Sequence, residues 1–206
     1  MLSHHLKVFY GFFILLLLSG CVSLLQPTIN TDVIKLRAGQ YKLDKAHASL
    51  LFKVQHLQLS TYVGRFNEFD ASLDFDPTNL ADTKLNGVIN IASLDINNPA
   101  LVDDLLTSTW FHESKFPQAV FTTRSVTPIN GQKFVFVGDL TWRGVTKEVS
   151  LDVTFNGGAN NLISGKYTLG FAAYGSILRS DFGMDAYIPL VGDQVDIEIY
   201  AEFQRI

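Results

Sequence analysis

Gly138-Asp139-Leu140-Thr141-Trp142-Arg143-Gly144-Val145-Thr146-Lys147 is the stretch that decides how this chain folds. Phe134-Val135-Phe136-Val137 leads into it. Beyond it, Val149, Leu151, Val153 and Phe155 alternate with Glu148, Ser150, Asp152 and Thr154. A period of two puts every second side chain on the same face of a strand, so each run has one face to bury. Two such runs meeting at a short break that contains glycine form a β-hairpin. Gly144 supplies the positive φ that the turn needs, because it has no Cβ to clash.

Outward from this hairpin the pattern recurs. In Ser49 to Leu57, Leu50, Phe52, Val54 and His56 share a face. In Phe66 to Phe75, Phe69, Ala71, Leu73 and Phe75 oppose Asp70, Ser72 and Asp74, and the turn signal Asp76-Pro77-Thr78-Asn79 follows. Leu85–Leu94, Ala119–Ser125, Lys133–Trp142, Val145–Asn156, Leu162–Ala173 and Gln194–Phe203 bring the strands to eight. Two stretches break the alternation. Leu101, Leu105 and Leu106 fall at helical spacing after Asn97-Asn98-Pro99, which predicts a short helix, and the aromatic loop Trp110–Pro117 follows it. Ser176 to Met184 is a second insertion. The expected fold class is all-β: an eight-stranded antiparallel barrel, with the short helix and aromatic loop inserted between strands. Closing first strand on last removes exposed edges. The polar faces lie outside, the reverse of a transmembrane barrel.

Composition supports a sizeable core and argues against disorder: 47% of the 206 residues are hydrophobic, and 16 are Phe. The net charge of −4, with no basic run, excludes nucleic acid as an expected partner. The single cysteine rules out an intramolecular disulfide.

Residues 1 to 20 read as an export signal. Lys7 precedes the apolar run Val8 to Leu18, which is shorter than the roughly 20 residues a membrane-spanning helix needs. Leu18-Ser19-Gly20-Cys21 resembles a bacterial lipoprotein box, which implies cleavage before Cys21 and acylation of it. The alternative is an uncleaved anchor with an incidental cysteine. Val22 is not aspartate, so resemblance to lipoprotein sorting favours the outer over the inner membrane. The domain reading is therefore a signal peptide at 1–20, a tether at 21–40 with a short ordered piece around Val33 to Leu36, and a barrel at 41–206.

Five groups of residues, in order, resemble the YceI-like proteins. They are Tyr41-Lys42-Leu43-Asp44 with His47, Phe52, Val54 and His56; Val63-Gly64-Arg65-Phe66; Trp110-Phe111 with Phe116-Pro117 and Phe121; Gly138-Asp139-Leu140-Thr141 with Arg143-Gly144-Val145-Thr146-Lys147; and Arg179-Ser180-Asp181-Phe182-Gly183-Met184. The resemblance implies a periplasmic, lipocalin-like barrel that binds a polyisoprenoid lipid. Two departures stand out. The family usually has Ser directly after the first His, where this chain has Ala48, and the lipoprotein leader is absent from the soluble exported members.

The expected activity is lipid binding, not catalysis. The ligand is a long isoprenoid, quinone-like or a polyprenyl phosphate, held by an envelope protein anchored to the membrane through Cys21. The alternatives are an enzyme working through His56 or His112, and a solid-cored interaction module. Homo-oligomerisation stays open. Phe52, Val54, Phe121, Phe136, Leu140, Val153 and Phe171 are the expected walls, each on the apolar parity of its strand. Trp110, Phe111 and Phe116 are expected at the mouth, with His56 on the same parity as Phe52 and Val54. Arg179 either pairs with Asp181 at the surface or meets an anionic head group. No metal is expected, because odd and even positions on one strand put His47 and His56 on opposite faces. Asp44 is expected to hydrogen-bond His47 at the strand's start. No cofactor is expected beyond the lipid.

Overall fold

A computed structural model describes residues 27–206 of the chain. The export signal, Cys21 and the first part of the tether lie outside the described residues. Ten strands make one antiparallel sheet: β1 Gly39–His56, β2 Ser60–Phe66, β3 Phe69–Phe75, β4 Lys84–Asn90, β5 Leu94–Asp95, β6 Gln118–Asn130, β7 Lys133–Trp142, β8 Val145–Asn160, β9 Tyr167–Leu178 and β10 Val191–Arg205. Among the described residues one α-helix, α1 Pro99–Leu105, precedes the aromatic loop.

The sheet closes. Ser49 to Val54 of β1 pair with Tyr200 to Val195 of β10. On its other side β1 pairs with β3 near its start and with β2 near its end, so β2 and β3 form one broken stave. β4 and β5 form another, pairing with β3 and β2 in turn. The barrel thus has eight staves built from ten strands.

The hairpin that decides the fold is closed by the pair Trp142–Val145. Its two turn residues, Arg143 and Gly144, both have positive φ, +50° and +77°. That geometry matches the right-handed twist of the flanking strands.

Several boundaries differ from the sequence reading, each for a local reason. Ser60 to Phe66 is a strand that the alternation did not reveal, because its inward positions are Tyr62, Gly64 and Phe66, with no side chain at the middle one. The run read as one strand from Leu85 to Leu94 is interrupted at Ile91–Ser93 by a 3-10 turn. The adjoining stave breaks at the same level, and the two breaks are stitched by Asn67 N–H to Ser93 O and Asn90 N–H to Glu68 O. Leu162 and Ile163 belong to a turn. The Asn161 side chain accepts hydrogen bonds from the N–H groups of Ile163 and Ser164, which reverses the chain there. β9 therefore starts later, and it runs on through Ser176–Leu178, which was read as an insertion. Leu57 leaves the strand with a positive φ of +52°.

The two ends of the barrel differ. At one end the chain arrives through Asn30, which pairs with Gly158, and a 3-10 turn at Val33–Lys35 follows. Leu36, in the stretch read as tether, is buried among the core residues, 6% exposed. Tyr41, Phe75, Phe155 and Leu169 fill this end solidly. The other end carries α1, the aromatic loop and the loop after β9.

Gly138 lies on the inward face of β7. A Cβ there would sit 2.5 Å from the Phe121 ring and 2.6 Å from the Thr122 carbonyl oxygen. Because one neighbour is backbone, Gly138→Ala is expected to destabilise the barrel by about 1–3 kcal/mol, measured by denaturant unfolding.

Candidate functional site

Above the solid floor the inward side chains do not meet. They enclose a cavity of about 410 Å³, within the roughly 300–1,000 Å³ of typical ligand pockets. All seven expected wall residues line it: Phe52 and Val54 on β1, Phe121 on β6, Phe136 and Leu140 on β7, Val153 on β8 and Phe171 on β9. Alternation brings them together, since each strand turns its even or odd set inward. Phe171 also defines the floor, with its ring 5.4 Å from that of Phe155 and 5.8 Å from that of Phe203. The wall is almost wholly hydrocarbon. It holds a long apolar chain by dispersion and water exclusion and offers little that would select a polar one.

The helix and loops roof this cavity. Asn98 caps α1 by accepting a hydrogen bond from Leu101 N–H, and Leu101 and Leu105 line the cavity. Phe111 is wedged between Phe66 and Trp142, at ring separations of 5.8 and 5.4 Å. Trp110 stacks on Tyr187 of the loop after β9 at 5.7 Å, and Arg143 of the hairpin turn donates to the Trp110 carbonyl. This stack ties the two insertions together across the barrel end. Phe116 does not line the cavity; it lies edge-on to His112 and beside Gly144, in the underlay of the loop. Trp142 lines the cavity and was not among the expected site residues, although the parity of Phe136 and Leu140 continues to it.

Arg179 is 2% exposed. It makes no surface ion pair with Asp181, which lies 3.6 Å from Lys147 instead. Its guanidinium donates to four carbonyls, those of Gly192, Met184, Ala186 and Val191, at 2.8 to 2.9 Å. Burial lowers its pKa, opposed by the charges of Asp193 and Asp185. The side chain touches the cavity and lies 5.5 Å from the Trp110 ring, but its fork is committed to shaping the loop between β9 and β10.

His56 ends β1 at the cavity rim, exposed, between Ser60 and Val191 on the neighbouring strands. His112 sits in the aromatic loop. His47 is remote from both, at the seam of the barrel. There β1 bulges: Leu43 pairs with Phe203 and Ala48 with Ala201, so residues 44 to 47 face Glu202 alone. Asp44, His47 and Glu202 are the one group among the described residues whose ligand atoms approach closely enough for a metal, within 4.8 Å of one another. Asp44 and His47 are bonded to each other at 2.9 Å, the hydrogen bond expected from their spacing.

A closed barrel with a solid floor and a roofed hydrocarbon cavity defines a class of cavity-bearing β-proteins. Within it, the chain belongs to the YceI-like family: the YceI-like domain matches residues 41–203. A UPF0312 protein of Photorhabdus laumondii is 38% identical over 170 residues, covering 82% of this chain and 88% of that one. A Campylobacter jejuni YCEI protein of solved structure has a TM-score of 0.65 at 32% identity, over 75% of this chain and 91% of that one. Burkholderia cenocepacia BcnA has a TM-score of 0.71 at 25% identity, over 78% and 98%. A polyisoprenoid binding domain from Saccharophagus degradans shares the fold at 12% identity, with a TM-score of 0.60 over 82% and 100%.

The seam pair makes stability depend on pH. The hydrogen bond to Asp44, then the charges of Asp44 and Glu202, raise His47 above its ordinary 6.5. A histidine raised on folding stabilises fully below its unfolded value and loses that contribution as pH rises through its folded value. Asp44 is held low, first by His47, and its contribution is lost only as pH falls through that lowered value. Melting temperature is therefore expected to decline modestly as pH rises above about 6.5, and His47→Gln to flatten that decline.

Proposed function

We propose that this protein holds or carries a long isoprenoid lipid, quinone-like or a polyprenyl phosphate, inside the barrel. The observation that carries this reading is the hydrocarbon cavity roofed by aromatic rings. Burying apolar surface there favours binding by about 25 cal/mol per Å², which offsets the cost of leaving a bilayer. The polyisoprenoid binding domain from Saccharophagus degradans, with the same fold, supports it.

The protein acts on the periplasmic side of the envelope, attached through acyl chains on Cys21, with the outer membrane as its site. Two or more acyl chains give stable attachment where one does not. Cys21→Ser is expected to abolish lipid labelling and slow removal of the leader. Normal labelling and cleavage of the variant would show that Cys21 is not the attachment point.

Val54→Trp tests the cavity. In a solid core the larger ring would overpack and cost about 1–3 kcal/mol. In a lipid-filled cavity it takes the ligand's place. The expected result, for chain expressed without residues 1–21, is a near-normal melt and loss of isoprenoid from organic extracts by mass spectrometry. A parent protein free of lipid, with a strongly lowered melt in the variant, would leave the interaction-module reading.

A further inference from the structure

Gly87 lies in the middle of β4, on the inward parity between Leu85 and Ile89, and it lines the cavity. A glycine inside a strand weakens it, because it loses more freedom on folding than other residues and packs nothing. Such a glycine is commonly explained by a left-handed backbone, a bulge, or a neighbour that fills the missing volume. Gly87 has none of these. Its φ lies outside the left-handed region. Its strand pairs on both sides in unbroken register. Chain neighbours aside, the atom nearest to where its Cβ would stand is the Asp70 carbonyl oxygen, 4.0 Å away. Gly64, Gly138 and Gly175 also face inward, and they differ. At each a side chain, that of Phe52, Phe121 or Leu151 in turn, comes within 2.7 Å of where a Cβ would stand.

The neighbours explain why the space over Gly87 stays open. Gly87 pairs with Ala71 of β3 on one side and with Phe121 of β6 on the other. Ala71 offers only a methyl group. The Phe121 ring leans over Gly138 of β7, into the gap that glycine leaves, so it does not cover Gly87. Gly87 and Ala71 therefore floor a recess in the cavity wall, with Leu85 and Ile89 at its ends. Protein interiors pack to crystal-like density, and an apolar hollow suits apolar atoms better than water. A strand glycine that neither backbone nor neighbour requires marks a place where a ligand comes close.

We propose that the chain of the bound lipid seats in this recess, and that the bulk at residue 87 sets how many isoprene units the barrel buries. This rests on the lipid-binding reading. A Cβ at 87 meets no protein atom closer than ordinary van der Waals contact, so a side chain there competes with the ligand. An isobutyl group carries nearly as many carbons as one isoprene unit. Gly87→Leu therefore takes the room of about one unit, and Gly87→Phe takes more.

The test reads retained ligand by native mass spectrometry of the full chain, purified in detergent and offered an equimolar series of all-trans polyprenols of increasing length. The distribution retained by Gly87→Leu is expected to centre on a chain shorter than the parent's by about one isoprene unit. Gly87→Phe is expected to shift it further, and both variants to melt no lower than the parent. Asn86→Leu puts the same bulk on the exposed outer face of the same strand, and it is expected to keep the parent's distribution. An equal shift in Asn86→Leu overturns the role of residue 87. A strongly lowered melt in Gly87→Leu overturns it too, because the space would then belong to protein. A parent that retains polyprenol, with Gly87 variants that retain the same lengths, refutes the recess alone. A parent that retains none refutes the lipid-binding reading and the recess with it.

Discussion

The pairing of β1 with β10 is the interaction on which the rest of the structure depends. It joins the first strand to the last, so it forms only when the whole chain between them is in place. With it, every stave has a paired neighbour on both sides, and the inward faces enclose a volume instead of a surface. Without it, Phe52 and Val54 on one side and the apolar face of β10 on the other would line an open groove. The seam is also where the ladder is least regular. The bulge opposite Glu202 bends β1 enough for its first half to pair with β3 and its second with β2, and the Asp44–His47 bond ties the extra residues down.

Closure creates an interior, and the interior is divided. Near the chain's arrival, large rings and Leu36 fill the barrel, with Tyr41 and Leu169 almost completely shielded from water. Toward the other end the staves carry Val, Ala and Leu among the rings, and the side chains from opposite walls do not touch. The roof comes from insertions that belong to no strand. Their positions depend on polar groups used in apolar surroundings: Arg143 on the Trp110 carbonyl, and Arg179 on four carbonyls of the loop after β9. A buried guanidinium with carbonyl partners is costly to strip of them, which makes it an effective fastener for a loop with no ladder of its own.

This division gives the barrel a direction. A rigid, plugged end receives the amino-terminal segment, and a roofed end opens to the cavity through two insertions joined by an aromatic stack. The roof's backbone hydrogen bonds run mostly within its own loops, whereas the floor is knitted by strand pairing.

Much of this was legible in the residues alone. Period-two alternation announced the strands and chose the inward set, because parity on a strand is local geometry that tertiary structure does not alter. That is why Phe52, Val54, Phe121, Phe136, Leu140, Val153 and Phe171 all stand on the cavity wall. The positive φ at Gly144 and the short helix after Asn97-Asn98-Pro99 were likewise local matters. What only the tertiary structure decided depends on residues far apart in the chain. Whether inward side chains fill the barrel or leave a void is set by how opposite walls face each other. Arg179 looked like half of a surface pair because Asp181 is near in sequence; its partners are carbonyls brought in by the folding of the following loop. Phe116 sits in the aromatic loop with Trp110 and Phe111, yet packs under the loop and not over the cavity, because the loop turns between them. Leu162 and Ile163 read as strand from their side chains, but Asn161 accepts the backbone N–H groups that a strand would have offered to a neighbour.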